Sequence, residues 1–207
     1  MTFHIYLQIW RSDFGVRKAR VERKTTEVDV IVELNVDGEG KGNVETGIKF
    51  LNHLLSTLAK HGLFNLTVKA TGDLKHHISE DVALTLGEAL QKAVAEKKGL
   101  TRFGSAYVPM DDSLARAVVD LGGRAYARLD LKLSQHDIED LKTEDIEHFF
   151  ESFAQASKSN LHLKILYGSN DHHKIEAAIK ALALALRQAV SLEPKIKDQI
   201  PSAKGVL

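Results

Sequence analysis

The sequence predicts an α+β protein of internally duplicated βα half-domains, with a four-helix layer packed between two small, mostly antiparallel sheets. Two observations carry this prediction. Residues 48–73 can be laid over residues 143–170 at an offset of about 95, so that His53 falls on His148, Leu58 on Phe153, Ala59 on Ala154, Leu66 on Leu161 and Val68 on Leu163. A His-His-x-x-Glu run then follows in each half, one residue later than that offset requires. A chain of 207 residues has the length of one ordinary domain, or of two small halves packed as a unit.

Each element has a local reason. Residues 28–36 are rich in β-branched side chains and end at the turn Asp37-Gly38, which makes them a strand. Residues 49–61 read as a helix stopped by Gly62, and the alternating 66–70 as a strand. Residues 80–97 keep Val82, Ala83, Leu86, Ala89, Leu90, Ala93 and Val94 on one apolar face and stop at Gly99. The second half offers strands around 117–121 and 125–131, helices over 144–158 and 175–192, and a strand over 162–166 between them. The acidic stretch 137–145 reads as a connecting loop. The helix over 175–192 is apolar nearly all round, which predicts burial on most sides and points to contacts between copies. The expected division is an extension over 1–15, a first repeat over 16–98, and a second repeat over 99–207 that ends in a substrate-binding tail.

Composition narrows the function. With 28 basic and 28 acidic residues the formal net charge is zero, so no overall field favours nucleic acid or a membrane surface. There is no cysteine, which excludes disulfides, thiolate metal sites and cysteine nucleophiles. No run reaches the roughly 18 apolar residues that span a bilayer. Residues 1–15 are apolar and aromatic but lack a basic n-region and a small-residue cleavage site, so a cytoplasmic protein is expected.

The paired motifs are His76-His77-Ile78-Ser79-Glu80 and His172-His173-Lys174-Ile175-Glu176. Positions i, i+3 and i+4 share one face of a helix, so imidazole and carboxylate converge on a common point. Adjacent histidines diverge by roughly 100°, so each pair can serve two different metals. Adding the lone histidine of each half gives two sets of four ligands: His53, His76, His77 and Glu80, and His148, His172, His173 and Glu176. Imidazole with carboxylate suits manganese, iron, zinc or nickel, and four ligands leave octahedral positions open for chemistry. His4, His136 and His162 read as satisfied core residues, and His61 as a cation at a helix C-terminus. Arg102, Arg124, Lys180, Ser202 and Lys204 are scattered; only Pro201-Ser202-Ala203-Lys204-Gly205 has the look of a compact anion-binding turn. Glu27 reads as an ordinary carboxylate at a strand start.

A series of ordered segments carries a family likeness: Arg-Lys-Thr-Thr-Glu-Val (23–28), Phe-Leu-Asn-His-Leu-Leu (50–55), Lys-His-Gly-Leu-Phe (60–64), His-His-Ile-Ser-Glu-Asp (76–81), Arg-Phe-Gly (102–104), Pro-Met-Asp-Asp-Ser-Leu (109–114), Val-Asp-Leu-Gly-Gly-Arg (119–124), Glu-His-Phe-Phe (147–150), Asn-Asp-His-His-Lys-Ile-Glu-Ala (170–177) and Ile-Pro-Ser-Ala-Lys-Gly-Val-Leu (200–207). From about Arg17 to Leu207 the chain resembles the imidazoleglycerol-phosphate dehydratases of histidine biosynthesis. Three features depart from the pattern. Asn52 stands where the family usually has aspartate, which would loosen the orientation of His53. The loop before His76 is a few residues shorter, and the extension over 1–15 is additional.

The resemblance implies conversion of imidazole glycerol phosphate to imidazole acetol phosphate and water. It implies two manganese ions per active site, a 24-subunit homo-oligomer and active sites formed between subunits. The hydrogen to be lost sits on a carbon with no carbonyl beside it. The imidazole ring can be the electron sink when metals bind its nitrogens. Glu27 would contact the substrate and transfer a proton at the side chain, with metal-bound groups such as His53, His77 and His173 assisting loss of the hydroxyl. Arg102, Arg124, Lys180, Ser202 and Lys204 match the family's substrate contacts, most of them at the phosphate. A two-metal phosphoesterase or a metal store would use the same ligands, but neither needs the imidazole ring of the substrate.

Overall fold

The structure is a computed structural model that describes residues 17–207; the expected extension over 1–15 lies outside the described residues. The first half runs β1 (Lys18–Lys24), β2 (Val28–Asn35), β3 (Gly42–Glu45), α1 (Lys49–Gly62), β4 (Asn65–Gly72) and α2 (Lys75–Ala93). The second runs β5 (Phe103–Met110), β6 (Ser113–Asp120), β7 (Tyr126–Asp130), a small hairpin of β8 (Asp137–Ile138) and β9 (Leu141–Lys142), then α3 (Thr143–Ser157), β10 (Asn160–Tyr167) and α4 (Asp171–Ala189). The sheets have the same topology, β1-β2-β4-β3 and β5-β6-β10-β7. In each, two antiparallel pairings are followed by one parallel pairing, β3 with β4 and β7 with β10. The duplicated α+β architecture is therefore present down to strand order.

Packing crosses between the halves. Helix α2 lies on β1 and β2 but packs along α3, while α4 lies on β5 and β6 and packs along α1. The apolar circumference of α4 is covered by β5, β6 and α1 of its own chain, so its all-round burial needs no second copy. Close approach to β5 depends on Gly104, where a Cβ would sit 1.9 Å from the Ala185 carbonyl oxygen. The start of α4 is locked by the buried pair Asp171–Lys174. Asp171 accepts from Ser134 N, Ser134 Oγ and Gln135 N, and Lys174 Nζ donates to Asp171 and to the Lys132 carbonyl. Two buried charges are tolerable here because each is paired and hydrogen-bonded.

Several elements differ from their sequence reading. Strands β1, β3 and β5 lack the apolar alternation of a strand buried on one face. In β1 only Val21 is buried, as befits an edge strand with a charged outer surface. Helices α2 and α4 begin at Lys75 and Asp171, upstream of both histidine pairs, and end at Ala93 and Ala189 rather than at 97 and 192. The Asn170 side chain accepts from His173 N and opens α4. The stretch 137–145 holds β8, β9 and the first turn of α3 rather than a plain loop. Its Asp140 caps the other half: Oδ2 and Oδ1 accept from Lys49 N and Phe50 N at 2.8 and 2.9 Å, where α1 has no cap of its own. His136 and His162 are exposed, on a loop and on the outer side of β10, and are not core residues; His4 lies outside the described residues. His61 does close the last turn of α1. No helix among the described residues is long and apolar enough to cross a membrane.

Gly104→Ala should therefore force β5 off α4. An apparent loss of roughly 1–3 kcal/mol is expected from the overpacking, read from the shift in urea midpoint at constant slope. An unchanged midpoint would show that the strand and helix have room for a methyl group.

Candidate functional site

The paired helices bring six of the expected ligands into two clusters among the described residues. His53, His172 and Glu176 form one; His76, Glu80 and His148 form the other; in each the ligand atoms lie within 4.8 Å of one another. His53 Nε2 and His172 Nε2 stand 3.1 and 3.3 Å from Glu176 Oε2. His148 Nε2 is 3.2 Å from Glu80 Oε1, and His76 Nε2 is 3.9 Å from Glu80 Oε2. Ligands at about 2.1 Å from one ion have adjacent edges of about 3 Å, so three of these four spacings match an octahedral edge.

The grouping differs from the sequence expectation. His53 joins the motif of the second half, and His148 joins that of the first. The reason is the packing: α1 lies along α4 and α3 along α2, so each lone histidine faces its neighbour's motif rather than its own. His77 and His173 stand apart from both clusters, their rings at 65° and 90° to those of His76 and His172. Neighbouring helical residues point about 100° apart, so the second histidine of each pair falls outside the cluster that the first one joins.

The donor set fits a divalent cation. All four paired histidines direct Nδ1 at a carboxylate: His76 at Asp145, His77 at Asp73, His172 at Glu139 and His173 at Asp112, at 2.7, 2.8, 3.0 and 2.7 Å. An ionised carboxylate only accepts, so Nδ1 carries the proton and Nε2 presents its lone pair. His148 Nε2 is buried and has no hydrogen-bond partner, because Glu80 is near it but misaligned. A buried ring nitrogen without a hydrogen-bond partner beside a carboxylate is what a cation would satisfy. Burial pushes the Glu176 carboxyl up, but hydrogen bonds from Lys180 and His53 outweigh it and hold the group down at about 2. The bond to Asp73 raises His77 above its ordinary value, with Glu27 adding to it.

Glu27 lies in the turn between β1 and β2, exposed, with Oε2 3.8 Å from His77 Nδ1. A cleft of about 510 Å³ opens beside the first cluster, lined by Phe50, His53, Glu139, Asp140, His172 and Glu176. The larger hollow, about 630 Å³, lies on the outer face of the first sheet among Lys18, Arg20, Glu33 and Asn65, and carries none of this chemistry.

The basic residues divide into two places. The Arg102 guanidinium bonds Asp120 at 2.7 and 3.1 Å and the Pro201 carbonyl at 2.9 Å, which brings the tail with Ser202 and Lys204 against the start of β5. Ser202 Oγ accepts from Lys204 N. Arg124 follows the Gly122-Gly123 turn on that side, its carbonyl accepting from Asn160. Lys180 is elsewhere: Nζ bonds Glu176 Oε1 at 2.7 Å and touches Met110 Sδ, at the opposite end of β5. Asn52 accepts from Thr46 N and Thr46 Oγ1, so it secures the turn into α1 rather than the His53 ring.

Comparison with known proteins decides the family. A profile of the imidazoleglycerol-phosphate dehydratases matches residues 46–186. The enzyme of that name from Dehalococcoides mccartyi is 51% identical over 191 residues, covering 92% of this chain and 97% of the relative. The chain belongs to the imidazoleglycerol-phosphate dehydratase family. The Caldanaerobacter subterraneus dehydratase is 49% identical over 195 residues, 93% of this chain and all of the other. Solved dehydratase structures agree. That from Staphylococcus aureus superimposes with a TM-score of 0.78 at 32% identity, over 84% of this chain and 99% of its own. That from Pyrococcus furiosus gives 0.78 at 36%, over 90% and 100%. The dehydratase is thus a hydro-lyase of histidine biosynthesis.

The residues that sequence reasoning missed are the carboxylates behind the histidines. Asp145 and Glu139 were hidden in a stretch that reads as an acidic loop; Asp112 lay in a family-like segment with no assigned role. If the clusters are as described, His53→Ala and Glu176→Gln should abolish the same metal-binding event, and the double variant should lose no more than the worse single. His53→Ala with Glu80→Gln should abolish two events. Manganese titration of the full chain followed by paramagnetic resonance reads this, and the reverse pairing would restore the half-by-half grouping.

Proposed function

We propose that this dehydratase is metal-dependent, converting imidazole glycerol phosphate to imidazole acetol phosphate and water with two Mn²⁺ per active site. The observation that carries the reading is the pair of two-histidine, one-carboxylate clusters, in which His76 and His172 are held through Nδ1 and turn Nε2 to the glutamate. His53, His172 and Glu176 would hold one ion and His76, Glu80 and His148 the other, each cluster completed by His77 or His173 from a neighbouring subunit. Bound there, the ions supply Lewis acidity that stabilises negative charge on the substrate's imidazole ring.

The remaining chemistry falls to side chains. Glu27 takes the proton from the carbon that becomes the ketone; its backbone is tied at both ends, N to Thr25 Oγ1 and the carbonyl to Asp73 N, while its exposed carboxylate is left to approach the substrate. The hydroxyl leaves the adjacent carbon with a proton, as water, and the enol so formed becomes the ketone. His53, His77 and His173 orient the reacting groups from the metal side. Arg102, Arg124, Ser202, Lys204 and Lys180 bind the phosphate and fix the substrate tail.

An active site shared between subunits is supported by length. Eight residues of β5 lie between the Arg102 cluster and Met110 beside Lys180, roughly 25 Å at strand rise. A three-carbon phosphate on an imidazole ring spans roughly 10 Å, too short to reach both groups of one chain. The reading is therefore a homo-oligomer; the family resemblance adds that it is a 24-subunit shell in the cytoplasm, each chain divided into repeats over 16–98 and 99–207 behind an extension over 1–15.

Ketone formation from imidazole glycerol phosphate should depend on added Mn²⁺ and stop on chelation. Glu27→Gln should keep metal and substrate binding and lose turnover by about 10²–10⁴-fold; turnover near wild type removes Glu27 from the mechanism. Arg102→Ala and Lys180→Ala should each be inactive alone, yet subunits mixed and reassembled should recover about a quarter of wild-type activity. No recovery in mixed particles of normal size would place the whole site within one chain.

A further inference from the structure

The hairpin turn between β5 and β6 carries Asp111 and Asp112, and the steps above use neither. Asp112 is held on both oxygens. Oδ2 accepts from Ser169 Oγ, Ser169 N and Asn170 N at 2.7, 2.6 and 3.0 Å, while Oδ1 faces His173 Nδ1 at 2.7 Å. The turn reaches this loop because Gly168 permits it: a Cβ there would stand 2.2 Å from Ser113 Oγ. Asn170, positioned by Asp112, in turn accepts from His173 N at 3.2 Å. Both the ring and the backbone of His173 are thus referred to one carboxylate on a different pair of strands.

The first half shows what is special about this. Its corresponding turn, between β1 and β2, carries Glu27, whose side chain is 56% exposed and no nearer than 3.8 Å to His77 Nδ1. That nitrogen is held instead by Asp73, from the loop directly before its own helix. The duplication therefore placed a carboxylate-bearing turn opposite the second histidine of each pair, and the two turns have diverged. One carboxylate is free and the other is immobilised.

We infer that Asp112 is a positioning residue for His173: it keeps the proton on Nδ1 and so leaves Nε2, which faces Asp111 Oδ2 at 3.5 Å, as the atom that joins a metal site. The inference rests on the reading of His173 as a metal ligand. A purely structural role, holding the 168–170 loop to the hairpin, predicts something different, and asparagine separates the two. In Asp112→Asn the side-chain oxygen can still accept from Ser169 and Asn170. Its NH₂ group, turned to His173, can only donate, so Nδ1 must accept and the proton must move to Nε2. The loop stays anchored while the ring is inverted.

The test is Mn²⁺ affinity of the full chain, with the nitrogen resonances of ¹⁵N-histidine-labelled metal-free protein as the second readout. Asp112→Asn should weaken binding of one ion by about 10–100-fold and exchange the protonated and unprotonated nitrogen signals of His173. His173→Ala should lose the same binding event, and adding Asp112→Asn to it should cost nothing more. If His173→Ala leaves affinity unchanged, the ligand reading fails. If His173→Ala weakens binding while Asp112→Asn does not, or while the two losses multiply, the ligand reading stands and the positioning role of Asp112 is wrong. Should Asp112→Asn prove unstable, the same comparison with Ser169→Ala decides the matter. That variant removes a loop anchor without touching the ring, and a loss of affinity as large as that of His173→Ala would mean that the loop, not the tautomer, is what matters.

Discussion

The packing of α1 on α4 and of α3 on α2 is the constraint from which the rest of this molecule follows. It sets which histidine meets which glutamate, since His53 reaches Glu176 and His148 reaches Glu80 only across the boundary between halves. It buries the apolar circumference of α4, and it lets Asp140 of the second half cap the first helix of the first. A side-chain cluster assembled this way is held in place by the helices that carry it. Each ligand rides on a helix whose other faces are in the core, so displacing the backbone of a ligand would disturb packing at interior density.

Carboxylates do two jobs in the site and their surroundings tell them apart. Glu176 and Glu80 converge with imidazoles and offer oxygens inward. Asp145, Asp73, Glu139 and Asp112 stand behind the rings and set which nitrogen holds the proton. Such backing groups change metal affinity without touching the metal.

Much of this was legible in the sequence, and what was not has identifiable causes. The periodicity of 82–94 and the repeat of His53 at His148 point to helices and ligands because helical spacing and duplication are local signals. The divergence of His76 from His77 follows from 100° per residue and holds in the structure. The partition of ligands did not follow from spacing, because it depends on which helices pack together. Edge strand β1 was hidden because Ala19 and Val21 are its only apolar residues and Arg23 breaks the alternation after them, leaving a run that reads as charged throughout. Glu139, Asp140 and Asp145 looked like one acidic loop because their separate partners (His172, the α1 N-terminus and His76) lie far away in sequence.

The crossed ligands have a consequence for symmetry. Consider a half-chain with one lone histidine and one paired motif, associating with a copy of itself about a twofold axis. In such an isologous contact residue i meets j while j meets i, so the pair would complete both three-residue clusters and leave over only the second histidine of each motif. A single half-chain would complete none. Joining the halves in one polypeptide keeps both clusters and removes the requirement that the two sides be identical. Only after that release can one hairpin turn keep an unbound glutamate while its counterpart ties its aspartate to a loop.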